Sequence, residues 1–281
     1  MKRWFFICTA IALLFTLASC QTHSPTPTGS EETTVYTEEP TPTYNLDVPF
    51  TPIGSAQDYF DLDRYTPPYQ VGNLLYLFHE PIRDTGKAYP LIIFLHDKGD
   101  RIDETHMGTA APLVSMLMHL ENQSEKYSAY TLVPTTPLAS EGEWTDWQFS
   151  HLMGLIGYLS ESYYIDINRI YVTGFSMGGY TTCRLVNEMP PDTFAAAAPL
   201  SGAYDLTEPE AHGNTAFRIY HSNQDTVVNV SCSRSLAAQL KLCEHPNTTY
   251  YEYSEGHHFS TLYTVYTDQS FYDWLFAQKL P

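Results

Sequence analysis

Basic residues are scarce in this chain of 281 residues: Lys and Arg number 14 against 32 Asp and Glu, a formal charge of −18. A surface so acidic repels phosphate backbones, which sets nucleic-acid binding aside. Cysteine is also scarce, five in all, and no pair has the C-x-x-C spacing of a zinc site. The only long apolar run sits at the extreme N-terminus, which excludes a polytopic membrane protein. Charged residues make up 16% and hydrophobic residues 43% of the chain. That balance supports a packed core and argues against a disordered or collagen-like chain.

The N-terminus reads as an address. Met1-Lys2-Arg3 is a short basic start, and Trp4 to Leu17 (WFFICTAIALLFTL) is too short for a comfortable membrane span but suits the apolar region of a signal peptide. Leu17-Ala18-Ser19-Cys20 resembles the lipobox of bacterial lipoproteins. The resemblance implies a signal peptide over residues 1–19, cut before Cys20, whose lipidated sulfur then anchors the chain outside the cytoplasm. Residues 20–52 are rich in Thr, Pro, Ser and Glu. Such a segment buries too little apolar surface to offset its ordering entropy, so it is expected to be a disordered stalk. The remaining cysteines, Cys183, Cys232 and Cys243, read as small buried or half-exposed side chains. The last two are expected on one helix, roughly 16 Å apart, too far for a disulfide.

Residues 53–281 read as one body in which strands and helices alternate. Asn73–His79, Leu91–His96, Ser128–Pro134, Arg169–Thr173, Phe194–Leu200, Phe217–Tyr220 and Thr248–Tyr253 have the short apolar or aromatic runs of strands. Leu152, Leu155, Ile156, Leu159 and Tyr163 repeat at helical spacing within Trp147–Tyr163. Further helices are expected at Met177–Glu188, Ser231–Cys243 and Thr267–Lys279. The alternation predicts an α/β fold, a mostly parallel sheet covered on both faces.

One strand runs into Gly174-Phe175-Ser176-Met177-Gly178-Gly179 and then a helix. This is G-x-S-x-G in the strand–turn–helix setting that exposes a nucleophilic serine over a helix N-terminus. A serine hydroxyl needs a base, and the base needs an orienting acid. In chain order, Asp225 follows the strand ending in His221, and His257 follows Gly256 after the next strand. Ser176, Asp225 and His257 are therefore the candidate nucleophile, acid and base. Asp205 is a competing acid and His258 a competing base. Glu255 reads as a solvated carboxylate, and His79, His96, His106 and His221 as packing or loop residues.

With these residues in place the chain resembles the α/β-hydrolase superfamily. It is most similar to small secreted esterases of the feruloyl-esterase, acetyl-xylan-esterase and polyhydroxybutyrate-depolymerase type. The resemblance runs from about Asn73 to the C-terminus through Tyr89-PLIIFLHDKGD-Arg101, Leu132-VPTTP, Asp166-INRIYVTGFSMGGY-Thr181, Phe194-AAAAPLSGAYD-Leu206, His221-SNQDTVV-Asn229 and Glu255-GHHF-Ser260. It implies an oxyanion hole made by the backbone N–H groups of Met177 and Lys98, with no metal or organic cofactor. Asp97 departs from the pattern, standing where the family usually has glycine. A carboxylate there opposes an oxyanion unless Lys98 or Arg101 pairs with it or it points away. The implied substrates are small-molecule or polysaccharide esters, with a serine peptidase of the same fold or a non-catalytic surface binding protein as the alternatives, and the membrane is met only through the lipid anchor. Trp144 and Trp147 are candidate stacking surfaces for a phenolic or sugar group, although packing in the core is the favoured reading of both. The short connection between Leu200 and Phe217 leaves no room for a large helical lid.

Overall fold

Eight strands form one sheet in the computed structural model, which describes residues 66–71, 74–81, 86–100, 107–136 and 144–281. The expected signal peptide, Cys20 and stalk lie outside the described residues. In chain order the strands are β1 (Thr66–Val71), β2 (Leu74–His79), β3 (Tyr89–Leu95), β4 (Tyr130–Thr135), β5 (Ile165–Phe175), β6 (Ala196–Leu200), β7 (Ala216–Ser222) and β8 (Thr248–Tyr253). Their spatial order is β1-β2-β4-β3-β5-β6-β7-β8. β2 pairs antiparallel with β1 and β4, and every other pairing is parallel.

The helices are α1 (Ala111–Gln123), α2 (Asp146–Ser162), α3 (Met177–Glu188), α4 (Ser231–Leu242), α5 (His258–Tyr266) and α6 (Gln269–Ala277). They divide between the two faces of the sheet. On β3, Ile92 and Phe94 pack with Leu113 and Leu117 of α1, Leu262 of α5 and Leu275 of α6. The alternate residues Leu91, Ile93 and Leu95 pack with Leu155 of α2, Leu185 of α3 and Leu236 of α4. This explains why β3 is an unbroken apolar run: successive side chains point to opposite faces, and both faces are covered. Each fully buried leucine contributes roughly 1.5–3 kcal/mol through removal of apolar area from water.

Thr145 starts α2 with a capping box. Its backbone N–H donates to Gln148 Oε1 at 3.0 Å, and the Gln148 N–H donates to Thr145 Oγ1 at 3.5 Å. Three elements lie outside the sequence expectation: β1, α1 and α5. Pro112 in the first turn of α1 suits a helix start, because an N–H missing there costs no hydrogen bond. The β6–β7 connection holds only one short 3-10 turn, Pro209–His212. Cys183, Cys232 and Cys243 are free, with Cys232 in α4 and Cys243 just past its end.

Candidate active site

β5 ends at Phe175 and α3 begins at Met177, so Ser176 alone makes the turn between them. Its φ of 57° and ψ of −115° lie in a region that L-residues rarely adopt, the kind of backbone strain that collects at functional sites. The flanking glycines are required by close approach. A Cβ on Gly174 would lie 2.4 Å from the Gly178 carbonyl oxygen, and one on Gly178 would lie 1.9 Å from that of Leu95. The same contacts bring the end of β3 against the start of α3.

The hydroxyl of Ser176 lies 2.9 Å from Nε2 of His258, and Nδ1 of His258 lies 2.6 Å from Oδ2 of Asp225. A carboxylate only accepts, so Nδ1 carries the hydrogen and Nε2 is left to take the serine proton. Oδ1 of Asp225 accepts the backbone N–H groups of Val227 at 2.8 Å and Val228 at 2.9 Å. Burial opposes the charge on Asp225, but His258 and these two amides outweigh it and hold the carboxyl below its ordinary range.

The imidazole at the site therefore belongs to His258, which corrects the expectation of His257. Gly256, at φ 83°, turns the chain out of β8, and His257 occupies the extended N-cap position with its side chain exposed. His258, the first residue of α5, turns inward and packs its ring 4.6 Å from that of Phe175. At a helix start, adjacent side chains point in different directions, so only one of the pair can face the serine. The loop itself is tied down by Ser222 at the end of β7, whose hydroxyl donates to the Gly256 carbonyl at 2.7 Å. Asp205 is engaged elsewhere, accepting from Ser235 Oγ at 3.0 Å.

Lys98 lies in the turn after β3. His96 donates from Nδ1 to the Asp97 carbonyl at 2.7 Å, while its Nε2 accepts the Thr136 N–H at 3.1 Å. Those roles need a neutral ring, and burial lowers its proton affinity accordingly. Holding the Asp97 carbonyl fixes the planar peptide unit that carries the Lys98 N–H. Met177, as the first residue of α3, has an N–H without an intrahelical acceptor. Burial, with the neighbouring charge of Asp100, pushes the Asp97 carboxyl up to about 6. Arg101, one of its two expected partners, lies outside the described residues.

Trp144 does not present a stacking face. It is 8% exposed, belongs to the core that includes Phe149 and Leu152, and lies with its ring 5.3 Å from that of His96. Trp147 falls within α2, and its side chain lies outside the described residues.

Residues 138–219, which include the serine turn, match the prolyl oligopeptidase family. Among solved structures, a thermostable esterase is 26% identical over 78% of this chain and 64% of its own, with a TM-score of 0.67. The chain thus spans somewhat under two thirds of that esterase. The chain has the α/β-hydrolase fold. An acylaminoacyl peptidase from Pyrococcus horikoshii is 16% identical over 77% of this chain and 41% of its own, with a TM-score of 0.56. An S-formylglutathione hydrolase from Staphylococcus aureus is 14% identical over 75% of this chain and 98% of its own, with a TM-score of 0.55. No curated protein matches the chain.

In an α/β-hydrolase sheet the site gathers at the carboxyl ends of the parallel strands, and here β5, β7 and β8 lead to the serine, the acid and the histidine. Two residues of this site are weakly marked in the sequence. His258 is only the competing base in the sequence, because His257 is the histidine that directly follows Gly256 and nothing local marks where α5 begins. His221 has the sequence setting of a packing residue, yet it lies 3.2 Å from Asp225 Oδ2.

Proposed function

We propose that this protein is a serine hydrolase cleaving carboxylic esters through Ser176, His258 and Asp225. One observation carries the reading: hydroxyl, imidazole and carboxylate follow one another at 2.9 and 2.6 Å. His258 Nε2 takes the Ser176 proton as Oγ attacks the ester carbonyl. The N–H groups of Met177 and Lys98 hold the oxyanion, and His258 passes the proton to the departing alcohol. Water then repeats the sequence on the acyl-enzyme and frees the acid. Asp225 fixes the ring tautomer and stabilises the imidazolium.

Esters on polysaccharides or of phenolic acids are the proposed substrates, supported by the motif resemblance and by the absence of a large lid on the β6–β7 connection. Peptidase activity on the same fold is the second reading, favoured by the match of residues 138–219 to the prolyl oligopeptidase family. Hydrolysis of a p-nitrophenyl ester, abolished in Ser176→Ala, tests the serine hydrolase reading. Rates on methyl ferulate, acetylated xylan and aminoacyl amides divide the two substrate classes. Cleavage of the amides alone overturns the esterase assignment. We also propose that Cys20 is lipidated and tethers the enzyme to a bacterial membrane. Incorporation of labelled palmitate, lost in Cys20→Ser, is the expected result, and an unlabelled wild-type protein contradicts it.

A further inference from the structure

His221 is the penultimate residue of β7 and is fully buried. Its Nε2 lies 3.1 Å from the Val228 carbonyl oxygen and 3.2 Å from Oδ2 of Asp225. A carbonyl only accepts, so Nε2 carries a hydrogen whatever the state of the other nitrogen. That hydrogen is donated to the carbonyl, and the same edge of the ring stands against the negative charge of the carboxylate. Nδ1 in turn lies 2.8 Å from Ser233 Oγ of α4, so both ring nitrogens are engaged. A residue serving only to fill the core would need neither contact.

From this arrangement we infer that His221 is a positioning residue, a second imidazole on the same carboxylate oxygen that orients His258. The inference rests on the serine hydrolase reading. Two amides bond Oδ1, His258 bonds Oδ2, and the buried His221 ring packs Nε2 against that same oxygen at 3.2 Å, which hinders rotation of the carboxylate away from His258. Removing His221 frees that rotation. It also leaves Oδ2 a stronger acceptor, which stabilises the imidazolium of His258 and makes the base harder to deprotonate.

The titratable groups facing His221 are Asp225 from its own loop and Cys232 from α4, with Tyr180 of α3 behind Cys232. Burial opposes a thiolate at Cys232, but the neighbouring His221 and Tyr180 outweigh it and bring the thiol down to about 7. Cys232→Ala removes this neighbour while leaving the Nε2 hydrogen in place, which separates its titration from the effect of His221.

The test compares wild type, His221→Leu, His221→Gln and Cys232→Ala on p-nitrophenyl acetate across pH. A second readout is the far-downfield proton resonance of the His258–Asp225 hydrogen bond, measured on the unliganded proteins. His221→Leu is expected to lower kcat about tenfold with KM held, to move the acid limb of kcat/KM to higher pH, and to shift the resonance. In His221→Gln, where the amide supplies a hydrogen in place of Nε2, kcat should return to within about threefold of wild type, with the limb and the resonance restored. Cys232→Ala should leave all three readouts near wild type.

Wild-type kcat, acid limb and resonance in His221→Leu overturn the positioning role. So do equal losses in the Leu and Gln variants with an unmoved acid limb, which mark a purely structural residue. If wild type neither cleaves esters nor reacts with a fluorophosphonate, the serine hydrolase reading fails. The resonance still decides whether His221 orients the Asp225–His258 pair, because that readout needs no turnover.

Discussion

The left-handed backbone of Ser176 and the raised proton affinity of Asp97 both arise from single residues held against their ordinary preference. For Asp97 the sign follows from its value of about 6, above the 3.8 of a free aspartate. Its protonated form is favoured in the folded protein, so it contributes stability at low pH that is lost as pH rises through about 6. Asp97→Asn is expected to raise the thermal midpoint at pH 8 but not at pH 4, and to increase kcat/KM at pH 8 by removing a charge near the proposed oxyanion hole. Calorimetry and ester hydrolysis at the two pH values check this, and an unchanged midpoint at pH 8 contradicts it. Ser176 and Asp225 were legible in the sequence because their surroundings are local: a G-x-S-x-G turn and a loop just past a strand. The choice between His257 and His258 was not, because it depends on the residue at which α5 begins. His221 was equally hidden, since its partner oxygen is set by how the loop after β7 folds back.

At the scale of elements, α2 and α5 differ in how plainly they are written. α2 has an apolar stripe, and Leu155 on that stripe is fully buried. Leu155→Ala is expected to cost about 2–5 kcal/mol, read as a lower urea midpoint with unchanged slope. Leu242, at the end of α4, is 85% exposed, and its replacement by Ala should change stability by less than about 0.5 kcal/mol. Equal effects would contradict the packing described here. α5 is a nine-residue helix, His258–Tyr266. Its sequence, HFSTLYTVY, mixes aromatic and β-branched residues that equally suit a strand, and only packing against β7 and α1 decides the matter. β1 was hidden for a related reason. It is a short edge strand carrying two prolines, residues that the sheet tolerates there and that sequence patterns read as loop.

Across the whole molecule, the mostly parallel sheet and its two covered faces follow from the alternation of apolar runs with helical stretches, which makes the architecture legible in the sequence. Long-range electrostatics act at the same scale. A formal charge of −18 should slow the approach of anionic substrates relative to neutral ones. The kcat/KM for an ester bearing a free carboxylate is therefore expected to rise severalfold between low salt and roughly 0.3 M salt, while that for a neutral ester stays level. A flat response in both would mean that the acidic surface does not reach the cleft.

The proposed chemistry depends on the proton path through the second histidine of the Gly-His-His sequence. The most direct measurement is kcat/KM on a p-nitrophenyl ester for His258→Ala and His257→Ala, with melting curves to establish that both are folded. Loss of at least about a thousandfold in His258→Ala, with His257→Ala within about threefold of wild type, is the predicted result. Comparable activity in a folded His258→Ala variant, or the large loss falling on His257→Ala instead, would contradict it.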